Sequence, residues 1–290
     1  MKRLFKTIYN YIPFKREIFI ALKVIWRPKE SIYQHLHFVG VFSVKIDKAK
    51  SFKIKHYGYQ VENGIFWAGL SGDWEKTSIN LWIKLCEQSE IIVDIGANTG
   101  VYALIAKSMN SNSKVYAFEP VQRVFEKLKE NITLNNFDII AIEKAVSNSD
   151  GTAIIYDTPS EHTYSVTVNK NLSSPDIKTI ETKISTITLN SFIRNNNIKK
   201  IDLIKIDVET HEPEVLEGFS DYLSLYRPNM IIEVLNDEVG EKINKLVDGM
   251  NYLFFNIDEN NGIRKVDKIT KSDYYNYLLC NADTAKNLGL

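Results

Sequence analysis

Val93-Asp94-Ile95-Gly96-Ala97-Asn98-Thr99-Gly100 stands where an apolar run that starts at Ile91 gives way to residues 101–109, which continue as a helix. A buried strand running through a glycine-rich turn into a helix marks the place where open α/β sheets take ligands, beyond the carboxyl ends of their strands. Gly96 and Gly100 let the backbone turn tightly and let a ligand come close to it. The pyrophosphate fingerprint GxGxxG needs a second glycine where this chain has Asn98, so NAD or FAD is disfavoured.

The pattern continues outward on both sides. Residues 114–119 read as a second strand, 121–134 as a second helix, 139–142, 201–208 and 230–235 as further strands, and 212–224 and 238–249 as helical. Upstream, residues 74–86 form a helix with Asp73 as its N-cap. Strands alternating with helices require parallel strands joined by crossovers. Residues 252–257 and 274–280 add two late strands at an antiparallel edge. The expected fold is therefore α/β and Rossmann-like, doubly wound, with a mostly parallel sheet of seven strands. Residues 151–190 interrupt the alternation as a hairpin insertion beside the ligand-binding face. The runs Phe42-Ser43-Val44-Lys45-Ile46 and Phe52-Lys53-Ile54-Lys55 predict a small antiparallel cap. The chain thus divides into an appendage over 1–64 and a main domain over 65–290.

Two acids fall at consecutive strand ends. Asp94 would repel a diphosphate but accepts hydrogen bonds from an ammonium group, which favours a cofactor bearing an amino acid. Glu119 ends the second strand, where an acidic side chain accepts both hydroxyls of an adenosine ribose. Together with the turn, the pair fits S-adenosylmethionine.

At these residues the sequence resembles the FkbM family of S-adenosylmethionine-dependent methyltransferases. The resemblance is carried by residues 93–100, Ala117-Phe118-Glu119-Pro120, Ala145-Val146-Ser147 with Asp150-Gly151, Leu203-Ile204-Lys205-Ile206-Asp207-Val208-Glu209, and Arg227-Pro228 with Ile231-Ile232-Glu233. It implies a Rossmann-like sheet, S-adenosylmethionine as methyl donor and O-methylation of a hydroxyl, often on a sugar. By the same resemblance Asp94, Gly96, Asn98 and Gly100 line the methionine end of the cofactor, Glu119 holds the ribose, and Ala145 and Val146 lie near the adenine. The chain departs from the family twice. Glu209-Thr210-His211-Glu212 has Thr210 where the family commonly has glycine, which bears on the backbone of the catalytic loop. Leu189-Asn190 replaces a usual Leu-Asp at the end of the hairpin.

Lys205, Asp207 and Glu209 alternate along the fourth predicted strand, so a period of two points all three to one face. Such charges are costly to bury unless they pair or serve chemistry. His211 follows at the ligand-binding end. Methyl transfer to an alcohol requires loss of the hydroxyl proton, and His211 is the candidate base, with Asp207 and Glu209 orienting the acceptor or the donor's amino group. The rival arrangement sets a divalent cation such as magnesium among Asp207, Glu209 and Glu233. His162, Tyr164 and Ser165 lie in the insertion, where the family presents acceptor-contacting residues. Trp74 and Glu75 open the helix before the first strand, where they either cover the cofactor or, the ordinary reading of an aromatic residue at a helix start, serve packing.

Composition bounds the remaining classes. Of 290 residues 44% are hydrophobic and 25% charged, enough to bury a sizeable core. Thirty-six basic residues balance thirty-six acidic ones, so no overall field gathers a nucleic acid. Cys86 and Cys280 have neither disulfide-framework nor zinc spacing. No apolar run approaches the roughly 18 residues of a bilayer span, and no leader peptide is evident, so a cytoplasmic location is expected. Residues 1–30 hold eight Lys or Arg against Glu17 and Glu30. They read either as a segment lying on an anionic membrane at its inner face or as a helical appendage with a solvated basic side. The expected function is O-methylation of a sugar hydroxyl in a surface polysaccharide or glycoconjugate precursor. The alternatives are a lipid, polyketide or other small hydroxylated acceptor, or a non-catalytic scaffold that binds S-adenosylmethionine.

Overall fold

The strand–helix alternation is realised over residues 76–246, behind a two-stranded preface and ahead of an antiparallel finish. The computed structural model describes residues 9, 12–70, 72, 74–157, 166–167 and 180–290. The preface comprises α1 (Lys15–Ile25), α2 (Glu30–Tyr33), β1 (Gly40–Lys45), β2 (Ser51–His56) and α3 (Gln60–Ala68). The first half of the main domain runs α4 (Lys76–Glu87), β3 (Ile91–Ile95), α5 (Val101–Met109), β4 (Lys114–Phe118), α6 (Gln122–Leu134) and β5 (Ile140–Ile142). The insertion holds β6 (Ala145–Val146), β7 (Gly151–Asp157), β8 (Val166–Thr167) and β9 (Ile180–Ile187). The second half runs α7 (Leu189–Asn196), β10 (Leu203–Ile206), α8 (Glu212–Glu217), α9 (Ser220–Tyr226), β11 (Asn229–Glu233) and α10 (Asp237–Leu246). Strands β12 (Leu253–Asp258), β13 (Gly262–Val266) and β14 (Asn276–Cys280) and helix α11 (Ala282–Leu288) complete the chain.

The main sheet has the order β13-β12-β14-β11-β10-β3-β4-β5. Strands β11, β10, β3, β4 and β5 are parallel, and β14, β12 and β13 join by antiparallel pairing. The sheet is thus the expected doubly wound, mostly parallel one, with eight strands where seven are predicted. The extra strand, β13, is an edge carrying exposed Arg264 and Lys265. Such charges protect an edge but leave no apolar alternation to find. Helix α3 was also not anticipated, because Asn63 and Gly64 in its middle are poor helix formers that only burial against the core sustains. The helix predicted over 212–224 is two helices, and Asp73, its predicted upstream counterpart's cap, lies outside the described residues.

Period-two alternation sends the central strands' side chains into two cores. Ile92, Val115, Ala117, Leu203 and Ile231 join one, beneath α4 and α5. Val93, Ile95, Tyr116, Phe118, Ile204 and Ile206 join the other, beneath α7, α8 and α10. The predicted insertion hairpin is the antiparallel pair β7–β9, and β6 and β8 extend it into a separate four-stranded sheet.

The preface hairpin β1–β2 buries Phe42, Val44, Phe52 and Ile54 in the first core. The open edge of β2 is closed by side-chain amides of α6. Lys53 N donates to Asn135 Oδ1 at 2.7 Å and Lys55 N to Asn131 Oδ1 at 2.9 Å. Asn131 Nδ2 in turn donates to Thr99 O at 2.8 Å, so one buried amide ties the edge strand to the glycine-rich turn. Among the described residues no helix is long and apolar enough to cross a membrane.

Candidate functional site

The turn after β3 is held over the end of β4. Gly96 N and Ala97 N both donate to Phe118 O, at 3.0 and 2.9 Å. Gly96 has φ +80°, and a Cβ there would lie 1.9 Å from Asp207 O at the end of β10, so only glycine fits. Gly100, at φ +95°, opens α5 over Leu128. Asn98 also has positive φ, and its Oδ1 is buried without a hydrogen-bond partner.

Asp94 and Glu119 stand on either side of this turn, both buried. Asp94 Oδ2 accepts from Ala103 N at 3.0 Å, at the start of α5, where an anion is favoured. Burial pushes the Asp94 carboxyl up to about 7 against the pull of Lys205. Glu119 accepts from two backbone groups, Asn98 N at 3.1 Å and Val121 N at 2.9 Å. Burial pushes it, too, up to about 7, with those N–H groups opposing. Ala145 and Val146 of β6 line the same cavity, with Ile155 and Ile184 of the insertion as further apolar wall.

Beside Asp94 lies a charged floor. Lys205 is opposite Asp94 in the β10–β3 pairing and is fully buried. Its Nζ is 3.2 Å from Asp207 Oδ2, 3.3 Å from Asn276 Oδ1 and 5.1 Å from the centroid of the Tyr102 ring. Burial alone would lower the ammonium, but Asp207, Glu75 and Glu233 outweigh it and hold its pKa above the ordinary value. Glu75 accepts from Tyr102 Oη at 2.5 Å and from Asn276 Nδ2 at 3.3 Å. Burial, and then repulsion by Asp207, pushes the Glu233 carboxyl well above the usual range, with Lys205 opposing. Glu75 and Trp74 are therefore more than helix-start packing: Trp74 lines the cavity and Glu75 shares the Lys205 charge. Sequence reasoning missed Asn276 and its link to Glu75 because the two lie 201 residues apart and meet only through β14.

Strand β10 ends at Ile206, two residues short of its predicted end, and this changes how Glu209 is placed. Glu209 and Thr210 have φ +55° and +77°, so a left-handed turn and not strand alternation brings Glu209 to the cavity beside Asp207. Glu212, fully buried, holds that turn by accepting from Val208 N at 3.1 Å and Thr210 N at 3.2 Å. Burial pushes Glu209 up to about 7, with Asp207 adding to the shift, and Glu212 up to about 8.

His211 also lines the cavity, with one ring nitrogen in a hydrogen bond and the other near a carboxylate. Nε2 is 2.9 Å from Ser147 Oγ, and Nδ1 is 3.5 Å from Glu214 Oε2. Burial lowers its pKa, against Glu214 and Glu217, so the ring is neutral at pH 7. Glu209 makes no hydrogen bond or ion pair among the described residues. No group of three or more His, Cys, Asp or Glu side chains among the described residues is arranged to hold a metal ion. The trio Asp207, Glu209 and Glu233, the rival arrangement for a divalent cation, is not among such groups, and the cation facing Asp207 is Lys205. His162, Tyr164 and Ser165 lie outside the described residues. Asn190 sits in the first turn of α7, capped by Thr188, away from the cavity.

The sequence matches known proteins. A family model described as the methyltransferase FkbM domain matches residues 94–262. The hexuronic acid methyltransferase AglP of Haloferax volcanii is 27% identical over 170 residues, which span 58% of this chain and 65% of that one. The 31-O-demethyl-FK506 methyltransferase FkbM of Streptomyces tacrolimicus is 26% identical over 156 residues, 46% of this chain and 60% of that one. The match thus spans less than two thirds of these relatives' length. The crystal structure of methyltransferase FkbM from Methylobacillus flagellatus KT aligns with a TM-score of 0.41 at 15% identity, covering 66% of this chain and 43% of that one. The family match begins at Asp94 itself, takes in every strand end that lines the cavity and covers more than half of the residues, and on that ground the chain belongs to the FkbM methyltransferase domain family.

Proposed function

We propose that this chain is an S-adenosylmethionine-dependent O-methyltransferase that acts on a sugar hydroxyl. One observation carries the reading: two buried acids, Asp94 and Glu119, end neighbouring strands on either side of a turn in which Gly96 has no room for a Cβ. The residues fit the cofactor. Asp94 suits its ammonium group, the two oxygens of Glu119 suit the ribose hydroxyls, and the unpartnered Asn98 Oδ1 awaits a donor. When bound, S-adenosylmethionine supplies an electrophilic methyl group for in-line attack by an oxygen.

The chain's own residues then bind, orient and take the proton. Neutral His211 accepts it at Nε2 once Ser147 Oγ yields that position, and Glu214 beside Nδ1 stabilises the imidazolium. Asp207 and Glu209 accept hydrogen bonds from the acceptor's other hydroxyls. A second assignment makes Glu209 the base. It is favoured by the engagement of His211 Nε2 with Ser147 and by the lone Glu209 carboxylate, raised to about 7 in the cavity. The sugar acceptor is supported by the relative named as a hexuronic acid methyltransferase.

Calorimetric titration with S-adenosylhomocysteine, beside NADH and repeated on Glu119→Ala, tests the cofactor. Binding of the first ligand alone, lost in the variant, is expected; a folded protein that ignores it sinks the reading. Labelled-methyl transfer to hexuronic acid oligosaccharides, against long-chain alcohols and polyketides, tests the acceptor, and methylation of non-sugars only would overturn it. His211→Ala and Glu209→Gln should both keep cofactor binding, and the variant that loses turnover names the base.

A further inference from the structure

Helix α1 has two apolar faces. Phe19 packs inward on Trp67 of α3, 5.4 Å between ring centroids, and Trp26 stands edge-on to Trp67 at 6.1 Å. On the other side Phe14, Ile18, Ala21 and Ile25 follow one another at intervals of four, three and four residues, which puts them in one stripe. Val24 flanks it. The stripe is open to solvent: Phe14 is 75% exposed, and Val24 and Ile25 are each 83% exposed. One apolar face serves the core; a second, contiguous one on the surface marks an interaction.

Charge selects the partner. Residues 1–30 carry eight basic and two acidic side chains, which leaves 28 basic against 34 acidic for the rest of a chain of zero net charge. Beyond Val24 and Glu17, whose carboxylate pairs with Arg16 at 2.9 Å, the helix borders a groove lined by Arg16, Lys23 and Lys53 with Ile20, Phe42 and Phe66. Exposed Arg27 and Lys29 follow the helix. A second copy of this chain would set these cations against their like and is opposed. An exposed apolar face with Trp26 at its margin, basic side chains along one border and beyond its C-terminal end, and the single acid Glu17 paired with Arg16, matches the boundary between acyl chains and anionic headgroups.

We infer that the exposed face of α1, with the adjoining basic groove, docks this chain on the surface of an anionic lipid bilayer. Helix α3, on which α1 packs, also contributes Val61 to the cavity wall, so docking holds the cavity one helix away from lipid.

Co-sedimentation of the full chain with sucrose-loaded vesicles tests this, using phosphatidylcholine alone or mixed with phosphatidylglycerol at low salt. Binding is expected only with phosphatidylglycerol. Neutralising exposed charges in R27Q/K29Q should weaken it roughly fivefold per basic residue, about 25-fold for the pair. F14S/I25S should abolish binding while leaving the melting temperature unchanged. Absence of binding, equal partition into both vesicles, or binding undiminished in both variants would overturn the inference. So would a dimer in solution that F14S/I25S dissociates, since a second copy would then cover the face.

Discussion

Replacing Thr210 by glycine should make this protein more stable, against the usual effect of adding glycine. Thr210 holds φ +77°, in a region that β-branched residues avoid. A non-glycine residue there costs about 1–2 kcal/mol. Glycine removes that strain but makes the unfolded chain more flexible, at about 0.4–1 kcal/mol. The backbone hydrogen bond from Thr210 N to Glu212 Oε1 survives the change, and the half-buried Thr210 side chain makes no hydrogen bond among the described residues. The net gain is about 0.5–1 kcal/mol, a rise of roughly 1–4 °C in melting temperature for a domain of this size. Thr210→Ala keeps a Cβ at positive φ and should recover less than half of it. Differential scanning calorimetry with and without S-adenosylhomocysteine reads both. A Thr210→Gly protein that melts lower than the parent, or an alanine variant that gains as much as the glycine one, would refute strain as the cause.

Glu119→Gln keeps the shape but removes the charge that ribose hydroxyls bind, so S-adenosylhomocysteine affinity should fall about 10–100-fold by calorimetry; an unchanged Kd would remove Glu119 from the site. Because burial raises Asp94 and Glu119 to about 7, the folded state holds protons that the unfolded chain has already released above about pH 4. Their contribution to the stability of the unliganded protein is therefore full below pH 4 and lost as pH climbs towards 7, and melting temperatures that rise steadily across that window would contradict it. Binding of an ammonium-bearing ligand should favour the ionised acids and release protons near pH 7, visible as a dependence of the calorimetric heat on buffer ionisation enthalpy. Asn131→Ala strands Thr99 O and Lys55 N together and should cost about 2–4 kcal/mol in urea unfolding; a loss below about 0.5 kcal/mol would mean that water replaces the amide.

The layered architecture and the placing of Asp94, Glu119 and the glycine turn together were legible in the sequence, because both depend on short-range features. Apolar runs of strand length, period-two alternation and a glycine turn each act over a few residues. They place Asp94 and Glu119 at neighbouring strand ends once the strands are parallel, and β3 and β4 are. The same local logic overlooked β13, whose exposed edge carries charge in place of pattern, and α3, whose helicity is imposed by burial.

The placing of Lys205, Asp207, Glu209 and His211 was decided by the tertiary structure. Alternation predicted that Lys205, Asp207 and Glu209 share a face, but β10 stops at Ile206 and a left-handed turn held by the buried Glu212 carries Glu209 into the cavity. His211 was correctly brought to the cavity by position, yet its partners Ser147 and Glu214 come from different elements. The Lys205 charge is shared with Glu75 and Asn276, residues that no spacing connects. A strand end is set by neighbours within a few residues, whereas the charge state of a buried group is set by whatever the fold packs around it. The acids proposed for the cofactor could thus be read along the chain, while the electrostatics around Lys205, Asp207 and Glu209 exist only after the chain has closed.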